Sequence, residues 1–205
     1  MSKQLKWERF SSVILYAGLL CFLFAFVMLG IVPAQMTKAS KRDDELAKSV
    51  PDNFKEAYAT VETYRQGLIR GRDIYVAEAC WHCHSQYVRP VSNEVLRYGP
   101  VSTPGEYENL LQLPQLFGTR RVGPDLIREG GKRTNDWHFS HFYNPRSVEP
   151  QSVMPSYTWY FENVDGKVLP KPDAVALVAY VQWLGSWINQ PPTSAMNDII
   201  MPPAE

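Results

Sequence analysis

The stretch Cys80-Trp81-His82-Cys83-His84 determines how the rest of this 205-residue chain is interpreted. Its two thiols are separated by two residues, so one turn of backbone can bring both of them to the vinyl carbons of a haem. The adjacent His84 is then carried beneath the ring, where its Nε2 atom can bind the iron. The motif therefore predicts one covalent haem c, attached to Cys80 and Cys83, with His84 as an axial iron ligand.

Other uses of paired cysteines fit the remaining sequence less well. A zinc site needs a second pair of ligands, and no cysteine follows Cys83. A thioredoxin-like dithiol needs a βαβ surround, which this mostly helical pattern does not offer. A disulfide framework is not expected, because the third cysteine, Cys21, lies in an apolar run and is interpreted as a small hydrophobic residue.

Residues 10–32 form an apolar run, and no charged side chain occurs between Arg9 and Lys38. This run is long enough to cross a bilayer as a helix and predicts a single transmembrane anchor. A cleaved signal peptide is the alternative, but its apolar core would be about 7–15 residues long. No clean small-x-small cleavage site precedes Lys38.

Basic residues flank both ends of the apolar run, so the positive-inside rule does not decide the orientation. Haem c is attached on the side of the membrane where secreted proteins are oxidised. Residues 1–9 are therefore predicted to lie in the cytoplasm, with the anchor in the inner (cytoplasmic) membrane and the haem domain in the periplasm or otherwise outside the cytoplasm.

The rest of the chain is predicted to consist of a polar tether (residues 33–53), one haem domain (residues 54–190) and a C-terminal tail (residues 191–205). Apolar positions from Phe54 to Tyr75 recur at helical spacing. Gly71 in this helix offers a surface without a side chain, which suits close crossing by another helix.

A second helix is predicted from Ala174 to Leu184, with Asp173 as its N-cap and its end near Gly185. Two helices that flank a haem motif indicate the small all-helical cytochrome c fold. The fold class is thus predicted as all-α, with one N-terminal transmembrane helix followed by a class I cytochrome c domain that carries a long inserted loop.

The sixth position of the iron needs a ligand, and Met154 is the first candidate. It lies in a loop between the haem motif and the last helix, and Pro155 would stiffen that loop. Methionine sulfur raises the reduction potential, as electron transfer requires. Met201 is a rival that would have to fold back around the domain, and His138 and His141 are also rivals.

Three further groups are candidates for contacts around the haem. The Pro124 carbonyl can accept the Nδ1 proton of His84, although Gly123-Pro124 could also be an ordinary turn. Arg133 and Arg146 are candidates for the haem propionates. His138 and His141 lie one helical turn apart and are expected to pack or hydrogen-bond near the propionates, or at a subunit surface, rather than to bind a metal.

An ordered set of short motifs resembles the mono-haem subunit (subunit II) of cbb(3)-type cytochrome c oxidase. The set runs from about residue 71 to residue 157 and comprises Gly71-Arg72-Asp73-Ile74-Tyr75, Cys83-His84-Ser85-Gln86, Arg89-Pro90, Arg97-Tyr98-Gly99, Gly105-Glu106, Arg121-Val122-Gly123-Pro124-Asp125-Leu126, Asp136-Trp137-His138 with His141, Asn144-Pro145-Arg146 and Met154-Pro155. Three features depart from the family pattern. Tyr87 replaces the usual methionine, Ala79 replaces the usual glycine, and the stretch from Tyr64 to Ile69 is longer.

The resemblance implies an electron-transfer subunit of a terminal oxidase in the respiratory chain, without catalysis of its own. Electrons would pass from a di-haem cytochrome c subunit or a soluble donor cytochrome c to haem b of the catalytic haem-copper membrane subunit, which reduces oxygen. The resemblance also implies that a calcium ion can lie at the subunit interface. Nucleic acid is not an expected partner, because the formal net charge is zero and no basic stripe interleaves with aromatic residues.

Two alternatives from other classes remain open at this point. One is the haem c subunit of a nitric oxide reductase, which would have a similar anchor and domain. The other is a free membrane-anchored cytochrome that carries electrons between complexes. A subunit should co-purify with haem b, whereas a free carrier should be monomeric after mild detergent extraction.

The segment from Ser85 to Arg121 separates His84 from Pro124 by more residues than a haem pocket requires. Loops of this length are usually functional or disordered. Its many apolar residues argue against disorder. It is predicted to lie against the catalytic membrane subunit, where its charged residues would fix its register through paired hydrogen bonds. These residues are Arg89, Glu94, Arg97, Glu106, Arg120 and Arg121. The alternative is a loop that folds only on its own domain.

Overall fold

A computed structural model describes residues 2–39, 47–107, 111, 114–118 and 120–188. The chain divides into two compact units, residues 1–40 and 41–205. The predicted tail, with the rival ligand Met201, and part of the predicted tether lie outside the described residues.

The first unit is helical throughout its described part. α1 (Ser2–Phe26) and α2 (Val32–Ala39) are joined by a π-helical turn, Val27–Ile31, in which the Val32 N–H donates to the Val27 carbonyl. Pro33 is the second residue of α2. A proline removes one helical hydrogen bond, and its ring crowds the carbonyl of the residue four positions earlier. A wider turn just ahead of it relieves that crowding. Among the described residues, Ser11–Gln35 is the stretch long and apolar enough to cross a membrane.

The second unit is mostly helical, with one small sheet. Its helices are α3 (Val61–Ala77), α4 (Cys80–Cys83), α5 (Glu94–Tyr98), α6 (Pro104–Tyr107), α7 (Asn135–Tyr143) and α8 (Pro172–Trp183), with 3-10 turns at Asp52–Phe54, Pro145–Ser147 and Thr158–Tyr160. Two strands, β1 (Phe161–Val164) and β2 (Lys167–Pro170), form an antiparallel hairpin.

The core of this unit is the crossing of α3 and α8. Gly71 lies so close to the Ala176 carbonyl that a Cβ atom at position 71 would overlap it. Next to this contact, the rings of Tyr75 and Tyr180 meet edge to face with centroids 5.5 Å apart. The prediction that Gly71 permits close crossing by the last helix is therefore confirmed.

The predicted cap of the last helix is wrong. α8 begins at Pro172, so Lys171 is the N-cap residue and its side chain makes no capping hydrogen bond. Asp173 lies within the first turn, where its two carboxylate oxygens accept hydrogen bonds of 2.9 and 2.7 Å from the Arg70 guanidinium. Asp173 thus ties α8 to α3 instead of capping it.

The hairpin was not predicted from the sequence. Asp165 and Gly166 both have positive φ angles, 51° and 79°, as a two-residue turn between twisted strands requires. The Asp-Gly pair between two short segments that contain valine was the available signal. The all-α prediction is confirmed only in the coarser sense that the domain is mostly helical.

The long segment after the haem motif contains two short helices, α5 and α6, and packs on its own domain. Val88, Leu111 and Leu116 within it are buried. Buried Arg72 of α3 donates through Nε to the Leu111 carbonyl. The described part of this segment is ordered by the core beneath it.

Candidate haem site

The haem motif forms a single helical turn. α4 consists of Cys80–Cys83, and the His84 N–H donates to the Cys80 carbonyl over 2.9 Å. Cys80 is buried and Cys83 is exposed, and both are free thiols. Burial raises the pKa of Cys80 to about 12, with a further contribution from the Glu78 charge, so this thiol stays protonated at neutral pH.

His84 is held in the orientation expected of an iron ligand. Its Nδ1 atom lies 2.9 Å from the Pro124 carbonyl oxygen. A carbonyl can only accept, so Nδ1 carries the proton and Nε2 keeps a free lone pair for a metal. Burial lowers the pKa of His84, which favours this neutral form.

Glycine is required at position 123 because the backbone there lies against the His84 ring. A Cβ atom there would lie 2.7 Å from both His84 Nδ1 and His84 Nε2, nearer than real Cβ contacts occur. The Gly123 N–H also donates to the Cys83 carbonyl over 3.0 Å. The Gly-Pro pair therefore packs directly on the imidazole and is not an ordinary surface turn.

The histidines of α7 lie near this site and are neutral. Burial lowers the pKa of both His138 and His141 to about 4, and the nearness of the titratable His84 ring adds to the effect on His141. The His141 ring stacks on Trp137 with centroids 4.7 Å apart. Among the described residues, His138 Nε2 and His141 Nδ1 have no hydrogen-bond partner. Contact with haem propionates stays a prediction for this pair.

The loop that carries Met154 is anchored beside the haem motif. Met154 is half-buried against the hydrophobic core. Three residues later, the Tyr157 N–H donates to the Phe142 carbonyl over 2.8 Å, and the Tyr157 side chain interacts with the Cys80 thiol. Met154 as the second axial ligand stays a prediction that this placement favours.

The two arginines predicted to contact propionates lie at the surface. The Arg133 guanidinium lies 5.1 Å from the centroid of the Trp137 ring, and Arg146 has an exposed side chain in the 3-10 turn after α7. Within the described ranges, no cluster of three or more acidic, cysteine or histidine side chains could hold a metal ion. A calcium ion at the subunit interface stays a prediction.

A buried charge network lies next to His84, and it pairs within the domain two side chains, Glu94 and Arg121, that were expected to pair with a partner. Asp125, which follows Pro124, accepts a hydrogen bond from the hydroxyl of Ser85, which follows His84. Arg121 joins Asp125 to Glu94 through its guanidinium, with N–O distances of 3.2 and 2.6 Å. Charged residues in a loop were the available signal, but the pairing of positions 94 and 121 has no local pattern.

The residues present fit a covalently bound haem. Two free thiols and the histidine share one helical turn, and the histidine tautomer leaves Nε2 available. The absence of a side chain at Gly123 leaves room for the imidazole ring. A haem held by two thioether bonds and one axial histidine needs each of these features.

Comparison with protein-family models identifies the family of this chain. No curated protein matches the chain. A family model described as cytochrome c oxidase, mono-haem subunit/FixO, matches residues 45–171 of the 205. The chain therefore belongs to the family of mono-haem subunits of cytochrome c oxidase.

Proposed function

We propose that this chain is the electron-transfer subunit of a cbb(3)-type oxidase, with one covalent haem c in a periplasmic domain. Electrons would enter from a di-haem cytochrome c subunit or a soluble donor cytochrome c and leave to haem b of the catalytic haem-copper subunit. The single observation that carries the proposal is the 2.9 Å contact between His84 Nδ1 and the Pro124 carbonyl, because it prepares Nε2 as a ligand.

Each residue has a distinct role in this proposal. Cys80 and Cys83 would hold the haem by adding their S–H groups across its vinyl bonds, which releases no atom. His84 and Met154 would ligate the iron. Bound haem supplies a one-electron ferric/ferrous couple, and half-buried Met154 would raise its potential.

The segment from Ser85 to Arg121 is proposed as the surface that meets the catalytic subunit. Its side chains Val91 and Leu96 are 50% and 70% exposed, and Phe117 is also exposed. Ion pairs from buried Glu94 to half-buried Arg89 and to buried Arg121 fix the backbone next to Val91 and Leu96. An apolar surface on a fixed frame is typical of a permanent interface.

The covalent haem can be tested directly. Denaturing gel electrophoresis with a haem stain should show colour at the mass of this subunit, and Cys80→Ser with Cys83→Ser should abolish it. Cys21→Ser is the matched control and should keep the stain. Release of the haem by acid-acetone extraction would contradict the proposal.

The role in an oxidase can be tested on the intact complex. The subunit should co-purify with haem b and copper, because the catalytic subunit of a haem-copper oxidase holds both. A complex with haem b but no copper would favour a nitric oxide reductase. A monomeric subunit after mild detergent extraction would favour a free electron carrier.

A further inference from the structure

The Asp125 carboxylate is buried and accepts four hydrogen bonds. Oδ2 accepts from the Ser85 hydroxyl, from the Tyr87 N–H at 2.9 Å and from Arg121 at 3.2 Å. Oδ1 accepts from the Ile127 N–H at 2.9 Å. Its exposure is only 4%, so these bonds replace the water that a carboxylate normally binds.

Arg121 links this carboxylate to the adjoining segment. Its Nη2 atom donates to the Tyr87 carbonyl at 2.9 Å and to Glu94 at 2.6 Å. Glu94 also accepts from the Arg89 N–H at 2.9 Å. Arg121 has a φ angle of +49°, a left-handed conformation that costs free energy in any residue with a Cβ. Its several hydrogen bonds hold it there.

These bonds join the two backbone segments that meet at the iron ligand. Ser85 follows His84, and Asp125 follows Pro124. The pair of segments is connected by the His84–Pro124 bond, by the Ser85–Asp125 bond and by the Leu126 N–H, which donates to the Ser85 carbonyl at 2.8 Å. A displacement of Asp125 would therefore move the carbonyl that orients His84.

We propose that Asp125 is a positioning residue that holds the Pro124 carbonyl against His84 Nδ1 and thereby sets the basicity of the iron ligand. The inference rests on the proposed role of His84. A firmly held acceptor increases the electron density on the imidazole and favours the ferric iron. A loosened acceptor makes the reduction potential more positive.

Two variants separate position from charge. Ser85→Ala removes one hydrogen bond to Asp125 and keeps the carboxylate, whereas Asp125→Asn removes the negative charge. Asp173→Asn is the matched control, since Asp173 pairs with Arg70 on the α3–α8 contact. The first readout is the hydrogen-exchange rate of the His84 imidazole N–H. It is measured by NMR of nitrogen-15-labelled histidine in the ferrous full-length subunit in detergent. The second readout is the reduction potential of haem c in the purified complex.

Ser85→Ala and Asp125→Asn should both speed this exchange by about tenfold, as expected from the loss of one buried hydrogen bond. Both should raise the potential, with the larger shift in Asp125→Asn, while Asp173→Asn should match the unaltered protein. Unchanged exchange in haem-loaded Ser85→Ala would overturn the inference, even if Asp125→Asn shifted the potential through its charge.

Ser85→Ala keeps three of the four hydrogen bonds to Asp125, so its exchange rate decides the question if Asp125→Asn binds no haem. A failure of the proposed function has a different signature, since the unaltered subunit would then carry no covalent haem at all.

Discussion

Ala79, the residue before the haem motif, has a backbone conformation that suits glycine. Its φ and ψ angles are 55° and 30°, in the left-handed region. The chain turns there between α3 and α4, at the position where the resemblance noted for the sequence leads us to expect glycine. An alanine in this conformation carries a cost that glycine does not.

Ala79→Gly should therefore stabilise the haem-loaded subunit, by about 1 kcal/mol. The measurement is the urea midpoint for loss of helical circular dichroism. Ala77→Gly, at an exposed position at the end of α3, is the control and should lower the midpoint, because glycine weakens helices. A lower midpoint in Ala79→Gly as well would mean that the packing contacts of the Ala79 methyl group stabilise the protein by more than the backbone strain costs.

Met154 can be distinguished from Met201 by spectroscopy. Met154→Leu removes the sulfur but keeps an apolar side chain of similar size, so the fold should survive while the reduction potential falls. The weak ferric absorption band that arises from sulfur ligation should disappear in Met154→Leu and persist in Met201→Leu. The reverse pattern would assign the ligand to the C-terminal tail.

At the scale of elements, the α3–α8 crossing depends on the absence of a Cβ atom at Gly71. Gly71→Ala would place a methyl group on the Ala176 carbonyl, and backbone cannot yield as a side chain can. We expect a loss of about 1–3 kcal/mol in the free energy of unfolding, or failure to accumulate haem-loaded protein.

Gly67→Ala on the same helix is the control for this substitution. A Cβ atom there meets the far end of the Tyr58 side chain, with Tyr58 Cζ at 2.5 Å, so a side chain rather than backbone would have to move. The gain in helix propensity, about 1 kcal/mol, offsets part of the cost. Equal losses in the two variants would show that the Ala176 contact is not the determining one.

For the molecule as a whole, the sequence predicted what depends on local spacing. The haem motif, the apolar run and the periodicity of α3 and α8 are all patterns within one element. The start of α3 was predicted wrongly, because the helical spacing begins at Phe54 whereas Thr60 caps the helix and α3 begins at Val61. The close approach at Gly71 was also foreseeable, because a glycine inside a helix usually has a packing reason.

What could not be predicted depends on contacts between distant residues. The Arg121 guanidinium meets Glu94 across 27 positions, and Arg70 draws Asp173 away from a capping role across 103. Local rules describe neither pair. The hairpin is a different case, because the Asp165-Gly166 signal was present in the sequence and was not used.

The segment from Ser85 to Arg121, called here the docking segment, gives the last prediction, which concerns assembly. Leu96 is 70% exposed on α5, so Leu96→Asp removes no core contact and the domain should still bind haem. If this surface meets the catalytic subunit, a buried unpaired carboxylate there should release the subunit from the complex or stop electron flow. Co-purification of the haem-stained subunit with haem b measures the effect.

Val168→Asp is the matched control for Leu96→Asp, because Val168 is an apolar residue of the hairpin that is 41% exposed. It should leave assembly intact if the interface is confined to the docking segment. Full assembly and turnover of Leu96→Asp would instead favour a segment that folds only on its own domain. Release by Val168→Asp alone would assign the interface to the hairpin, since the two variants add the same charge on different surfaces.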